Sequence, residues 1–333
     1  MKTLQAEVLI IGAGPAGTIA AASLLKNGHS VIIVEKTKFP RFVIGESLLP
    51  HCMDLLDQAG LLQAVKSFGF QKKCGADFYF RNKKSTVEFG EQFSNGWPYT
   101  FQVKRAEFDE LLATEVTKMG AEILFQNEVL SVNLGFENSS AIVINSHKNT
   151  FKINCRFILD TSGNSAVLGT LLNLNTPSIL SPKTALYSHQ KIDFNTTNFK
   201  REKISVVIHP TEPQCWYWVI PFQDNSLSVG FTTTAEHLLK HPGNDSQKLL
   251  SVLQEAPEIK TWINSENFLF PAVKSAGYSR RIKTFFGNGF AIAGNAGEFL
   301  DPVFSSGVTI ALKSGFDSAF LIHQQLIGNA VNW

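Results

Sequence analysis

The chain has 333 residues, of which 44% are hydrophobic and 17% charged, with a formal net charge of +2 at pH 7. Such a composition supports a packed core in one large domain or two closely joined ones and excludes a disordered chain. There is no long Lys/Arg run, so nothing points to nucleic acid or to a polybasic membrane surface. Cys52, Cys74, Cys155 and Cys215 are scattered, without a C-x-x-C pair or a nearby His pair. That argues against a disulfide framework or a zinc site and for a reducing cytosol. No apolar stretch reaches membrane-spanning length, and the opening VLIIGAGPAG lacks a signal-peptide cleavage pattern. A soluble cytoplasmic protein without a bound metal is expected.

In chain order, Glu7 to Ile11 is a short apolar, β-branched run that reads as a buried parallel strand. GAGPAG follows, then a helix ended by Gly28, then a second strand over Ser30 to Val34 closed by Glu35. This is a right-handed βαβ unit. Gly12, Gly14 and Gly17 form G-x-G-x-x-G between its strand and helix. Gly12 serves the tight turn, Gly14 the approach of a pyrophosphate and Gly17 the contact of helix with sheet. Free N–H groups at the helix start suit phosphates, and Glu35 is spaced to bind a ribose hydroxyl and not a 2′-phosphate. The fingerprint alone leaves FAD and NAD open.

Further on, residues 106–120 read as a helix, followed by strands AEILF and EVLSV and by TFKINCRFILDTSG as one extended run. From about residue 184 the pattern alternates in KISVVIH, CWYWVIPF and SLSVGFTTT, which predicts an antiparallel sheet in a different layer. Residues 247–264 read as helix, GFAIAG as a buried strand and residues 305–326 as a helix that the chain leaves unfinished, so a C-terminal helical portion is expected to be absent. Two interleaved domains are expected: a cofactor domain over 1–75, 102–182 and 270–333, and a substrate domain over 76–101 and 183–269. His189, His209 and His241 read as isolated packing or surface groups. Trp97-Pro98 fits a substrate lining or turn packing equally.

Arg105 opening RAEFDELL, the strand end DTSGNS and the late GNAGEFLDPVFSSGV come in an order that resembles FAD-dependent enzymes of the aromatic-hydroxylase superfamily. The resemblance spans residues 5–320. It implies an α/β fold, with a Rossmann-like FAD-binding domain beside a substrate domain of antiparallel β-sheet plus helices. It also implies FAD held by Gly12, Gly14, Pro15, Ala16 and Gly17 at the first turn and by Glu35, Lys36 and Arg41 after the second strand. Arg105, Asp160, Asn295, Pro302, Gly307 and Val308 complete the implied set. Asn295 departs from the family's usual Asp, and its amide can still accept and donate.

Within that superfamily the chain looks most like flavin-dependent halogenases acting on pyrroles and phenols. WYWVIP (Trp216 to Pro221) matches W-x-W-x-I-P, FLDPVFSSG (Phe299 to Gly307) matches F-x-x-P-x-x-S-x-G, and KKCGADF places Lys73 where the family's catalytic lysine lies. PRFVIGESLLP (Pro40 to Pro50) matches the segment near the flavin. The resemblance implies FADH2 from a separate flavin reductase, O2, chloride or bromide, and an aromatic substrate, free or on a carrier protein. Amides of Ser306 and Gly307 would hold the halide, or else stabilise the flavin's pyrimidine edge. Lys73 would capture or orient the hypohalous acid. An ordinary lysine is neutral only about 0.04% of the time at pH 7, so acting as a nucleophile requires a lowered pKa. Spacing singles out none of Glu46, Asp77, Glu107 or Glu298 as a general base. Trp216, Trp218 and Ile220 share one side of their strand, with Pro221 at its end; alternation alone reads them as a core stripe, and the motif as a wall beside the flavin. The same fold also admits a flavin monooxygenase, a reductase of isoprenoid double bonds or a non-catalytic flavin-binding protein.

Overall fold

The computed structural model describes residues 2–81, 83–178, 181–196, 199–276, 281–299 and 302–333. Its first layer is a six-stranded sheet in the order Phe286–Gly287, Phe290–Ile292, Phe157–Asp160, Val8–Ile11, Val31–Glu35, Glu122–Phe125. All pairs are parallel except the first, at the edge. Val8–Ile11 is buried along its whole length, because helices cover one face and a second sheet the other. That second, four-stranded sheet joins Thr3–Gln5, Thr150–Cys155, Ser139–Asn145 and Asn127–Asn133. Helices Pro15–Lys26 and Ser306–Leu326 lie against each other in the core on the other face.

A seven-stranded sheet forms the remaining layer, ordered Val273–Ala276, Thr184–Lys191, Ser226–Thr233, Trp216–Pro221, Lys203–Ile208, Gly75–Phe80, Lys83–Glu88. It is antiparallel, as expected, except where Lys203–Ile208 runs parallel to Gly75–Phe80. Strand Trp216–Pro221 is buried on both faces. Trp216, Trp218 and Ile220 pack with Tyr187 and Val206 and against Ile44 and Val303, which belong to loops of the first layer. Tyr217 and Val219 face the other way, into a core with Phe231, Leu249 and Val252.

Two expectations are corrected. The run TFKINCRFILD is two strands in two sheets, broken at Arg156, whose guanidinium pairs with Glu7 and Glu137. The helix expected over 247–264 ends at Leu253, because Pro257 has no N–H to continue it; only a short 3-10 turn, Lys260–Trp262, follows. The last helix ends at Leu326, and Trp333 folds back to stack on Phe157 with ring centroids 5.5 Å apart.

Gly230 sits where the indole of Trp218 crosses the neighbouring strand. A Cβ there would lie 2.4 Å from Trp218 Cζ2 and 2.8 Å from the Leu186 carbonyl oxygen. Gly230→Ala should therefore cost about 2 kcal/mol or more of stability, as overpacking of a closed core does. Chemical denaturation followed by Trp fluorescence would measure it.

Candidate active site

The carboxyl ends of Val8–Ile11 and Val31–Glu35 meet the start of helix Pro15–Lys26. Gly12 has φ +102°, and a Cβ on Gly17 would stand 2.0 Å from the Gly12 carbonyl oxygen, so the turn closes only with glycine at both positions. A Cβ on Gly14 would meet nothing nearer than the Arg41 guanidinium at 3.7 Å. The helix start has no side-chain cap and no acid in its first turn. It thus presents uncapped N–H groups and a positive dipole end to open space, which suits a pyrophosphate. Glu35 accepts from the Ala13 N–H at 2.9 Å and from the Thr37 N–H and hydroxyl. Arg41 reaches over this turn while paired to Asp109 at 3.1 Å, and Lys36 donates to Ser165. Arg105 grips the same Asp109 through two N–H bonds of 2.8 and 2.9 Å and donates to the Ile44 carbonyl. It so fixes the 40–50 segment against helix Arg105–Lys118. Asp160 is fully buried and caps two backbone N–H groups of its own loop, at Ser162 and Leu168.

The late loop brings Asn295, half-buried on a 3-10 turn, to the same end of the sheet. Residues 300 and 301 of its motif lie outside the described residues; Pro302 opens the next 3-10 turn. Ser305 is left-handed at φ 58°, and helix Ser306–Leu326 starts without a side-chain cap. A Cβ on Gly307 would meet nothing within 4 Å. A side chain at that position would thus meet open space, beside Val308, whose Cγ2 packs toward Gly45.

Lys73 lies on the ribbon Gln71–Lys73, paired with Thr100–Gln102, and its side chain runs inward. It is 1% exposed. Its Nζ donates to Ser47 Oγ at 2.8 Å and to the Leu48 carbonyl at 2.9 Å, and stands 5.2 Å from the centre of the Phe89 ring. Among the described residues no carboxylate pairs with it. Burial without a counter-charge pushes its pKa down to about 7. About half of the amine is then neutral at pH 7, which removes the obstacle raised by an ordinary lysine. A small cleft of about 60 Å³, lined by Gln71, Gln102, Lys104 and Phe222 among others, opens beside this ribbon, but Lys73 does not line it.

Several sequence readings change here. His189 is not isolated: its Nε2 lies 2.8 Å from Glu46 Oε1, amid the rings of Phe42, Phe222 and Phe270. Burial also sorts the four carboxylates. Glu107 is exposed and Glu298 partly so, while Asp77 is held by Lys84 and Thr86. Glu46 is 1% exposed, and its Oε2 has no partner. Neither feature could be read from spacing, since residues 46 and 189 lie far apart along the chain. Trp97 packs on Tyr99 and under the Lys66 ammonium in a turn, away from the Trp216 face. Cys74 is half-buried, and its backbone bridges Glu202 and Phe89. His209 and His241, also read as isolated, converge with His237 on Glu255. On the Trp face, Trp218 Nε1 donates to Ser228 at 3.1 Å, whereas Trp216 Nε1 is buried without a partner.

The sequence model of the FAD binding domain family matches residues 5–265. Flavin-dependent halogenase armH3 of Armillaria mellea is 29% identical, over 98% of this chain and 69% of its own length. A carrier-protein-linked 1H-pyrrole-2-carbonyl chlorinase of Pseudomonas fluorescens is 27% identical, over 92% of this chain and 73% of its own. The chain belongs to the FAD-binding domain family. A solved flavoprotein/dehydrogenase from Cytophaga hutchinsonii superposes on this flavoprotein with TM-score 0.95 and 40% identity, covering 99% of this chain and 80% of that one. The present chain is thus an FAD-dependent oxidoreductase with FAD as its cofactor, and the open cradle at Gly14 fits that cofactor's pyrophosphate. None of its described helices is long and apolar enough to cross a membrane.

The lowered pKa of Lys73 carries a pH signature. Between pH 7 and about 10.5 the unfolded chain binds a proton at this site that the folded chain does not. Stability gained at this site therefore rises with pH across that window, by up to about 1.4 kcal/mol per unit, and its full cost is present below pH 7. Denaturation of wild type and Lys73→Met at pH 7 and pH 9.5 should show the wild type gaining several kcal/mol more than the variant.

Proposed function

We propose that this flavoprotein halogenates an electron-rich aromatic, a phenol or pyrrole, using chloride or bromide, O2 and FADH2 delivered by a separate cytoplasmic flavin reductase. The observation that carries this reading is Lys73: a fully buried amine, facing only neutral acceptors, two residues from the sheet that bears the Trp wall. The carrier-linked chlorinase among the relatives supports a substrate offered as a carrier thioester as readily as a free one.

In this reading the pyrophosphate rests on the Gly12–Gly17 turn, with Glu35 at the ribose and Arg41 above the phosphates. Lys36, Arg105 and Asp160 hold the surrounding loops in place. Asn295, Pro302 and Val308 flank the flavin, and the amides of Ser306 and Gly307 hold the halide. Bound reduced FAD, with O2, supplies the two-electron oxidant that turns halide into hypohalous acid. Trp216, Trp218, Ile220 and Pro221 keep the oxidant's route apolar and narrow. The neutral fraction of Lys73 presents a lone pair to the electrophilic halogen, while its N–H bonds to Ser47 and Leu48 fix the direction of that lone pair. Glu46, one residue from Ser47 and with one free oxygen, takes the ring proton as general base. His189 orients it.

Chain supplied with FAD, a flavin reductase, NADH and bromide should brominate members of a phenol and pyrrole panel. Lys73→Met should abolish product, to below about 1% of wild type, while FAD content and peroxide release persist. Glu46→Gln should lower turnover about 100-fold with a similar KM, the size of effect typical of a general base. Normal bromination by Lys73→Met would remove the lysine from the mechanism. The likeness to the Cytophaga hutchinsonii flavoprotein/dehydrogenase favours a second reading, in which the chain oxidises NAD(P)H itself. Substrate-stimulated NAD(P)H oxidation without added reductase would support that reading over halogenation.

A further inference from the structure

Lys73 starts on one strand and ends against another. Strand Thr100–Gln102 lies between Gln71–Lys73 and the 46–48 segment. Lys73 is the register partner of Thr100, Gln71 is that of Gln102, and Gln102 bridges Ser47 on its other side. The Leu48 N–H donates to the Phe101 carbonyl and the Val103 N–H to the Glu46 carbonyl, which fastens this third segment. Register partners point to the same face of a sheet. One face therefore carries Ser47, Gln71, Lys73, Thr100 and Gln102, all of them buried. Because Lys73 Nζ donates to Ser47 Oγ, its stem crosses over the middle strand, with Thr100 and Gln102 on the same face beside it.

Two polar atoms on that face have no partner among the described residues. Thr100 is fully buried, and its Oγ1 makes no hydrogen bond. Gln102 donates from Nε2 to the Arg201 carbonyl at 3.2 Å, but its Oε1 is unpaired. A buried hydroxyl or amide oxygen left alone is costly, and such groups generally hold ordered water. The cleft of about 60 Å³ beside the ribbon can supply it: Gln71 and Gln102 both line that cleft, which has room for several molecules. Gln102 thus reaches the cleft at one end and stands about 7 Å along its strand from Thr100 at the other. The exposed Glu107 also lines the cleft, as does Asp224, which is paired with Lys104. Elsewhere Lys73 Nζ meets the Leu48 carbonyl and the Phe89 ring, and neither passes a proton onward.

We propose that Thr100 Oγ1 and Gln102 Oε1 hold a short file of ordered water between the Lys73 amine and this cleft, and that protons leave and return to Lys73 along it. The proposal rests on the reading that Lys73 works as a neutral amine, because an amine that must shed its proton needs a path for it. In each deprotonation one proton passes from the ammonium to the nearest water, and no electrons move. The Thr100 hydroxyl accepts that proton and donates its own to the next water. Gln102 Oε1 only accepts, so it anchors the file and carries nothing. The proton emerges in the cleft, where Glu107 or solvent takes it. Thr100 and Gln102 are positioning residues, acting through water on Lys73, and a single file leaves the amine without bulk solvation.

The test is the rate at which the Lys73 Nζ protons exchange with solvent, read by NMR on FAD-loaded chain carrying 15Nζ-labelled lysine, each protein at its own Lys73 titration midpoint. Thr100→Val and Gln102→Leu should each slow exchange about tenfold, the effect of losing one hydrogen bond along the path. Thr100→Ser, which keeps the hydroxyl, should exchange like the wild type. A bulky maleimide on Gln223→Cys, an exposed position on the cleft, should also slow exchange without touching the ribbon, and wild type treated alike is the control. That arm serves if Thr100→Val or Gln102→Leu does not fold. Exchange within twofold of wild type in the folded variants and in the blocked protein would overturn the route. Equal slowing in Thr100→Ser and Thr100→Val would overturn the part given to the hydroxyl. Bromination is assayed in parallel: a wild type that does not brominate, with exchange still slowed in the variants, would remove the halogenation reading and support the route.

Discussion

The amine of Lys73 is buried against one hydroxyl, one carbonyl and a phenyl ring, with no carboxylate beside it among the described residues. A charged ammonium in such a place is costly, so burial lowers the pKa to about 7 and raises the neutral fraction. The neighbouring architecture sustains that state. The ribbon carrying Lys73 is closed by Thr100–Gln102, and Ser47 is held in place by a bridge to Gln102. Arg105 ties the 40–50 segment to its helix, and the buried Glu46–His189 contact ties it to the seven-stranded sheet. Separating any of these elements would admit water to Lys73 and return it to its ordinary charge.

The paired indoles gain meaning from what they face. Both faces of WYWVIP are buried, so burial alone does not distinguish a wall from a core stripe. The Trp216, Trp218 and Ile220 side packs on Ile44 and Val303, one from each loop that flanks the proposed flavin position, and Trp216 keeps an N–H without a partner. The Tyr217 side belongs to an inner core shared with helix Asp245–Leu253. One strand therefore separates the proposed chemistry from the histidine cluster behind it.

Much of this was legible in the sequence because local rules govern it. The strand–glycine turn–helix unit follows from β-branched runs and from glycines that leave no room for a Cβ. The alternation after residue 184 foreshadowed the seven-stranded sheet, and the motifs pointed to Lys73 and to the helix start at Ser306. What escaped was set by contacts between distant residues. The depressed pKa of Lys73 depends on burial under residues 47–48 and 89, and the Glu46–His189 pair spans two layers. The convergence of His209, His237, His241 and Glu255 requires the end of an interior strand and two helices to fold together, and no spacing pattern encodes it. Pro257 was a local signal for the early end of a helix that the apolar periodicity had extended too far.

The account rests on the protonation state of one side chain, and a direct titration tests it. FAD-loaded protein carrying lysine labelled at 13Cε and 15Nζ would be followed by NMR from pH 5.5 to pH 10.5, with Lys73→Met identifying the signal. The account predicts that a single lysine titrates near pH 7 while the remaining lysines titrate near their ordinary value. A Lys73 signal that stays fully protonated up to pH 10 would contradict it.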